Sequence, residues 1–162
     1  MRLPELHAQI DQRVNAIRAA RADWPCSKGC DTCCRRLAEI PTLTEAEWLC
    51  LREGLAALPA PQQHSIRQRA AEMAQQTARP LVCPMLDQSS GACPVYAQRP
   101  VACRSYGFYV QRDAGLYCRE IETRVAQGDM ADVVWGNHDA IDHSLRTLGQ
   151  SHELTHWLAN WA

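Results

Sequence analysis

Eight of the nine cysteines in this chain fall into two sets. Cys26, Cys30, Cys33 and Cys34 form a tight run, C-x3-C-x2-C-C, and Cys83, Cys93, Cys103 and Cys118 form a spread series. Thiolates at short, mixed spacing converge on one centre when something binds them strongly, and a metal ion or an iron–sulfur cluster is the usual cause. Structural zinc ordinarily takes paired C-x2-C knuckles. Only Cys30 and Cys33 have that spacing, and the second set has gaps of nine, nine and fourteen residues. Vicinal cysteines with wide gaps suit a cluster better than zinc. Two four-cysteine sites, or one site with a thiol pair beside it, satisfy the count equally. A disulfide scaffold would need an oxidising compartment and an even count, and neither is evident. Cys50 stands apart and reads as a spare thiol beside a helix.

The x3–x2 spacing of Cys26, Cys30 and Cys33 is also the one with which radical S-adenosylmethionine enzymes hold a [4Fe–4S] cluster with an open iron. This chain is too short for the barrel that such enzymes need. The second constellation is more specific. It runs Cys83-Pro84-Met85-Leu86, then Gly91-Ala92-Cys93-Pro94-Val95-Tyr96, then Arg99-Pro100-Val101-Ala102-Cys103-Arg104, and ends on Cys118. Together with the first run, this order resembles the CxxxCxxCC cysteine-cluster family of the YkgJ type, a zinc- or iron-chelating domain. The resemblance covers residues 26–118. It implies metal or cluster binding by Cys26, Cys30, Cys33, Cys34, Cys83, Cys93, Cys103 and Cys118. It also implies a relation to flagellin lysine N-methylases, longer chains in which an iron–sulfur centre is implicated.

A four-thiolate site on Zn²⁺ or [4Fe–4S]²⁺ carries a net charge of about −2. Arg99 and Arg104 flank Cys103 and can offset that charge. Tyr96, Ser105 and Tyr106 can donate to sulfur. Arg99, Arg104, Tyr96 and Tyr106 are therefore the expected cofactor-binding residues. Pro84, Pro94 and Pro100 stiffen the loop, so less entropy is lost on binding.

A second motif lies near the end of the chain. His152-Glu153-Leu154-Thr155-His156 matches H-E-x-x-H, which places two histidines on one helix face with a Glu base beside a zinc. Ser151 reads as the N-cap of that helix, which puts His152 at its first position, whereas a zinc protease carries the motif inside a longer helix. No third ligand follows, and an acid in the first turn suits the helix dipole by itself. His138, Asp142 and His143 read as the solvated face of a helix.

The elements that must position these residues follow from pattern. Leu3, Leu6, Ile10, Val14 and Ile17 recur at helical spacing, so residues 3–22 read as a helix that Trp24-Pro25 ends. Thr44-Glu45-Ala46-Glu47 is a capping box, with Leu43 and Trp48 as its hydrophobic staple, opening a helix to about Leu58. Pro59 and Pro61 start another over 61–78, with Ile66, Ala70 and Met73 inward. Residues 79–104 show little periodicity, and a loop that long needs a reason, which metal ligation supplies. Ser105–Val110 and Leu116–Glu120 read as a short hairpin around Arg112-Asp113-Ala114-Gly115, with Cys118 on its return strand. Asn137 caps one helix ending near Gly149, and Ser151 caps a last one to Trp161.

The expected fold class is α+β, mainly helical: a small single domain over 1–162 with long cysteine-rich loops organised by a metal centre, a short β-hairpin, and C-terminal helices over 137–161. The chain has 162 residues and a net charge of −1. That length suffices for a core without disulfides, and that charge gives no pull toward nucleic acid or anionic membrane. No apolar run approaches the ~18–20 residues of a membrane span. The amphipathic N-terminus is unlike the apolar core of a signal peptide, so the expected location is the cytoplasm, where thiols stay reduced. The expected function is binding of an iron–sulfur cluster, of the [4Fe–4S] type, or of zinc, in metal handling, redox or sensing. The alternatives are a cluster-dependent enzyme binding S-adenosylmethionine or another small ligand, and a zinc hydrolase acting through His152, Glu153 and His156.

Overall fold

The apolar stripe at the N-terminus folds as its spacing requires. In the computed structural model, which describes residues 1–112 and 114–162, Leu3–Ala20 is a helix that buries Leu3, Leu6, Ile10, Val14 and Ile17. In chain order the elements are α1 (Leu3–Ala20), α2 (Thr32–Arg35), β1 (Thr42–Thr44), α3 (Glu45–Ala56), α4 (Ala60–Gln75) and a 3₁₀ turn (Tyr96–Gln98). There follow α5 (Val101–Ser105), β2 (Tyr109–Gln111), β3 (Ala114–Leu116), α6 (Arg119–Ala126), β4 (Gly136–Asn137), α7 (His138–Leu145), β5 (Ser151–Glu153) and α8 (Leu154–Ala159). The fold is α+β and mainly helical, with two small sheets. Its contacts divide it into two compact units, each made of two stretches of chain. Unit 1 is Met1–Ser27 with Val101–Leu148, and unit 2 is Lys28–Pro100 with Gly149–Ala162.

In unit 1 the buried face of α1 shares a core with Trp24, Val101, Phe108, Tyr109, Ile121, Met130 and Ile141. Trp24 stacks on Phe108 and meets Trp135 edge-on. Strand β2 is central in a three-stranded sheet, antiparallel to β3 and parallel to β4. In the β2–β3 hairpin Gln111 pairs with Ala114. Arg112, next to Gln111, takes a positive φ of 49°, a conformation that tight hairpin turns use. Asp113, part of the expected turn, lies outside the described residues.

The hairpin is shifted from its expected place. Ser105 closes α5 instead of opening a strand. The return strand ends at Leu116, and Cys118 is the extended N-cap of α6. The reason lies in the sequence after it: Glu120 and Glu122 favour a helix start, and one residue, Ile121, anchors that helix in the core.

In unit 2 the capping box forms as read. The Thr44 hydroxyl accepts from the Glu47 amide at 3.3 Å, and the Thr44 amide donates to Glu47 Oε2 at 2.8 Å. Leu43, Trp48, Leu51 and Leu55 then pack with Ile66 and Ala70 of α4 and with Leu154 and Leu158 of α8. The expected cap at Ser151 is not found. Ser151–Glu153 is a strand paired antiparallel with β1, with Leu43 opposite His152, and the N-cap of α8 is Glu153. Gly149, at φ 98°, turns the chain so that the Gln150 carbonyl accepts from the Glu45 amide at 2.8 Å. That bond and the exposed edge of β1 draw the segment into strand pairing.

Two predictions test this packing. Thr44→Ala leaves a buried Glu47 carboxylate short of one donor and should cost about 1–2 kcal/mol in urea denaturation. His7 gives a pH signature. Burial pushes its imidazole down to about 4 from 6.5, with the Arg104 guanidinium adding to the effect and Asp11 opposing it. The folded chain keeps His7 neutral where the unfolded chain takes up the proton. Stability should therefore fall as pH drops from about 6.5 toward 4. The loss should be on the order of 1 kcal/mol after solvent screening, and His7→Gln should flatten that slope.

Candidate metal centre

The cysteines divide between the units. Unit 2 holds Cys30, Cys33, Cys34, Cys83 and Cys93, together with Cys50, and unit 1 holds Cys26, Cys103 and Cys118. Among the described residues no cysteine is in a disulfide.

In unit 2 the short helix α2 carries Cys33 and Cys34. Their thiols are hydrogen-bonding neighbours, and that bond, with burial and the charge of Cys34, pushes the Cys33 thiol pKa strongly upward. The Cys34 carbonyl accepts from the Cys83 amide at 2.7 Å. Leu37 and Leu81 exchange both backbone bonds just beyond, at 2.9 and 2.8 Å. Two cysteine runs far apart in sequence thus meet along one short backbone ladder. Cys83 and Cys93 lie partly buried against the unit 2 core. Burial raises the Cys93 pKa, while a backbone amide bond and the Arg99 charge pull it down. Cys30 is exposed, with Sγ 3.6 Å from Thr32 Oγ1.

The expected cofactor-binding residues of this unit act on one another. The Arg99 guanidinium lies 3.5 Å from the Tyr96 ring centroid, and Arg99 Nε donates to the Tyr96 carbonyl at 2.9 Å. Lys28 Nζ is 5.2 Å from the same ring. Two cations therefore share one aromatic face system within the segment that follows Cys93. In α3, Gly54 makes room for the 3₁₀ turn, because a Cβ there would fall 2.7 Å from Gln98 Oε1.

In unit 1, Cys26 is held from two sides. Arg18 donates to its carbonyl through Nε and Nη2 at 3.3 and 3.2 Å. Its Sγ lies 3.8 Å from the Tyr106 carbonyl. Cys103 lies in α5, and Arg104 beside it donates to both oxygens of Asp11 on α1, at 3.1 and 3.0 Å. The Arg104 charge is thus met by an acid of its own unit.

No group of three or more His, Cys, Asp or Glu side chains stands ready to hold a metal ion among the described residues. The donor chemistry nevertheless fits a soft metal: thiols, partly buried, with Cys33, Cys34 and Cys83 brought close by backbone bonds. A metal held on these thiols would require the side chains to close in as it binds, as in sites that form with their metal.

Residues 25–124, more than half of the chain, match the CxxCxxCC family, described as "Putative zinc- or iron-chelating domain". The chain belongs to this family. It is a metal-binding, cysteine-rich protein, and the matched span contains all nine cysteines. No curated protein and no solved structure matches it. No helix among the described residues is long and apolar enough to cross a membrane.

Two residues near the CxxCxxCC cysteines escaped the sequence reading. Arg18 sits in the last turn of α1, where a basic residue suits the helix end, and nothing in its spacing points at Cys26. Gly107 follows the R-P-x-x-C-R run, and only the fold shows its φ of 91° and its closeness to the Cys26 thiol.

The H-E-x-x-H motif lies outside the family match and straddles a junction. His152 and Glu153 are in β5 and His156 is in α8. The two imidazoles stack with centroids 4.3 Å apart and tilted by 26°. The histidines are not successive turns of one helix, the arrangement the zinc protease motif needs.

Gly107 supplies a test of how Cys26 is held. A Cβ at Gly107 would fall 3.1 Å from Cys26 Sγ, whereas one at Gly128, also at positive φ, would meet open space. Gly128→Ala should cost roughly 1 kcal/mol of backbone strain. Gly107→Ala should cost more, by denaturant titration, and equal losses would show that the thiol contact contributes nothing.

Proposed function

We propose that this protein holds an iron–sulfur cluster on cysteine thiolates and serves in electron transfer, sensing or metal handling. The observation that carries this reading is the backbone bond from Cys83 to Cys34, which brings the second cysteine set to the vicinal pair Cys33–Cys34. Adjacent cysteines next to a third from a distant loop suit a multi-iron centre, where neighbouring thiolates bind different irons. Paired knuckles of the zinc type are missing from the sequence pattern. Cys33, Cys34 and Cys83 form the nucleus of the ligand set, with Cys30 and Cys93 from the same unit. Cys26, Cys103 and Cys118 are proposed as ligands on the same family pattern. Arg99 and Lys28, both held over the Tyr96 ring, offset thiolate charge in unit 2.

A reducing compartment such as the cytoplasm suits thiolate ligands. The chain is read as acting as one domain, because each unit is built from two separate stretches and neither is removed by a single cut.

Metal analysis with an absorption spectrum, on protein purified without oxygen, tests the reading. Brown protein with a band near ~400 nm and iron matched by sulfide is the expected result. Cys33→Ser, Cys34→Ser and Cys83→Ser should each strip most of the iron, and Cys50→Ser should leave it in place. Colourless protein with about one or two zinc ions per chain would overturn the cluster and leave a closed thiolate site.

A further inference from the structure

Unit 1 contains a cleft of about 560 Å³, a size within the range of small-molecule sites. It opens among α1, β2, β4 and α7, and no cysteine, Asp or Glu among the described residues lines it. Tyr109 and Trp135 supply aromatic wall, Gln9, Gln12 and Asn137 supply amides, and Arg13 supplies the charge.

Arg13 is the informative residue. Its side chain makes no hydrogen bond, ion pair or ring contact among the described residues, yet it is half-buried. Arg36, Arg52, Arg112, Arg119 and Arg146, which likewise have no such partner among the described residues, are exposed, so water satisfies them. Elsewhere in unit 1, Arg18, Arg21, Arg104 and Arg124 are each held by an acceptor. A guanidinium always carries its charge and five donors. Partly withdrawn from water and with no acid among the described residues of the cleft, it has the environment of a group whose partner arrives from outside. The nearby Asp11 is engaged by Arg104.

The aromatic wall is built in advance. Trp135 is fixed by edge contact with Trp24, centroids 5.5 Å apart, and by Tyr117 at 5.2 Å. The Tyr109 ring lies flush on Gly136, where a Cβ would fall 2.2 Å from a ring carbon. Burial also raises the Tyr109 pKa, so its phenol stays neutral beside an anion. Ala16 and Ala140, both small and exposed, leave the cleft open.

We propose that this cleft binds a small aromatic anion, one planar ring bearing a carboxylate or a phosphate, with the anionic group on Arg13 and the ring against Trp135 and Tyr109. The amides of Gln9, Gln12 and Asn137 complete the polar contacts. This site uses none of the thiols and stands whichever metal they hold.

Isothermal titration of the protein as purified, with its metal, tests this. The probes are benzoate, phenyl phosphate, benzyl alcohol and inorganic phosphate. Saturable binding of benzoate or phenyl phosphate is expected, and which of the two binds identifies the anionic group. Benzyl alcohol and inorganic phosphate should bind at least about tenfold more weakly, since each lacks one of the two elements. Arg13→Gln should weaken the anion by roughly 10- to 100-fold, and Arg13→Lys should restore part of it. Ala140→Phe, at an exposed position, should block the cleft with Arg13 intact, which keeps the test open if Arg13→Gln does not fold. Arg52→Gln, in unit 2, should change nothing. No saturable binding of either aromatic anion, or binding unaltered by both Arg13→Gln and Ala140→Phe, would overturn the proposal. Inorganic phosphate binding as well as phenyl phosphate would overturn the role of the aromatic wall.

Discussion

The hydrogen bond from the Cys83 amide to the Cys34 carbonyl, with the Leu37–Leu81 pair beside it, is what brings the two cysteine sets of unit 2 together. Each residue fixed in an irregular loop costs about 1–2 kcal/mol of conformational entropy, so a cysteine loop does not hold its shape unaided. Here the ladder ties α2 to the segment entering the second cysteine set. Burial secures that segment in turn: Leu81, Pro84 and Leu86 are almost wholly inside, and Arg69 donates to the Leu86 carbonyl at 3.1 Å. The same chain that buries these residues presents Cys83 at the edge of the core. The placement of Cys83 is a by-product of the hydrophobic packing on either side of it.

Arginine does the comparable work in unit 1. Arg18 fixes the Cys26 carbonyl and lies over the Phe108 ring at 5.0 Å. Arg104, with a side chain only 10% exposed, crosses from α5 to Asp11 on α1. Arg21 and Arg124 gather Asp23, Asp129 and Asp132. Exposed ion pairs of this last kind add little stability singly, but a planar guanidinium that reaches several acceptors fixes loop geometry. The chain has a single lysine against many arginines, which fits arginine acting as a strut. Among the described residues Arg13 is the half-buried arginine that departs from that pattern.

Periodicity made α1, α3 and α4 legible, because each presents a repeating apolar stripe and α3 also carries its capping box. Asn137 was legible as a cap for the same local reason: its side chain accepts from the Asp139 amide at 3.0 Å. What escaped the reading was decided by partners distant in sequence. Ser151–Glu153 looks like a helix start until β1 offers it an edge. Cys118 looks like a strand residue until Ile121 finds the core and pulls α6 into register. The cysteine motif was legible as chemistry, since its spacing alone marks a metal site. How the thiols divide between the units was not, because that depends on the crossings of the chain near residues 27 and 100.

Neither core is built around its cysteines. The unit 2 core closes on aliphatic side chains and Trp48, with Cys83 and Cys93 at its margin, and the unit 1 core closes on the α1 stripe and aromatics. Small metal domains that lack such cores take most of their folding free energy from the metal. This chain has enough apolar burial of its own that the metal is asked mainly to order cysteine loops. The division has a functional consequence. A metal site built on Cys83 and Cys93, at the margin of the unit 2 core rather than in it, would change its occupancy or redox state with less disturbance of the packing than a central one, and that suits the roles proposed above.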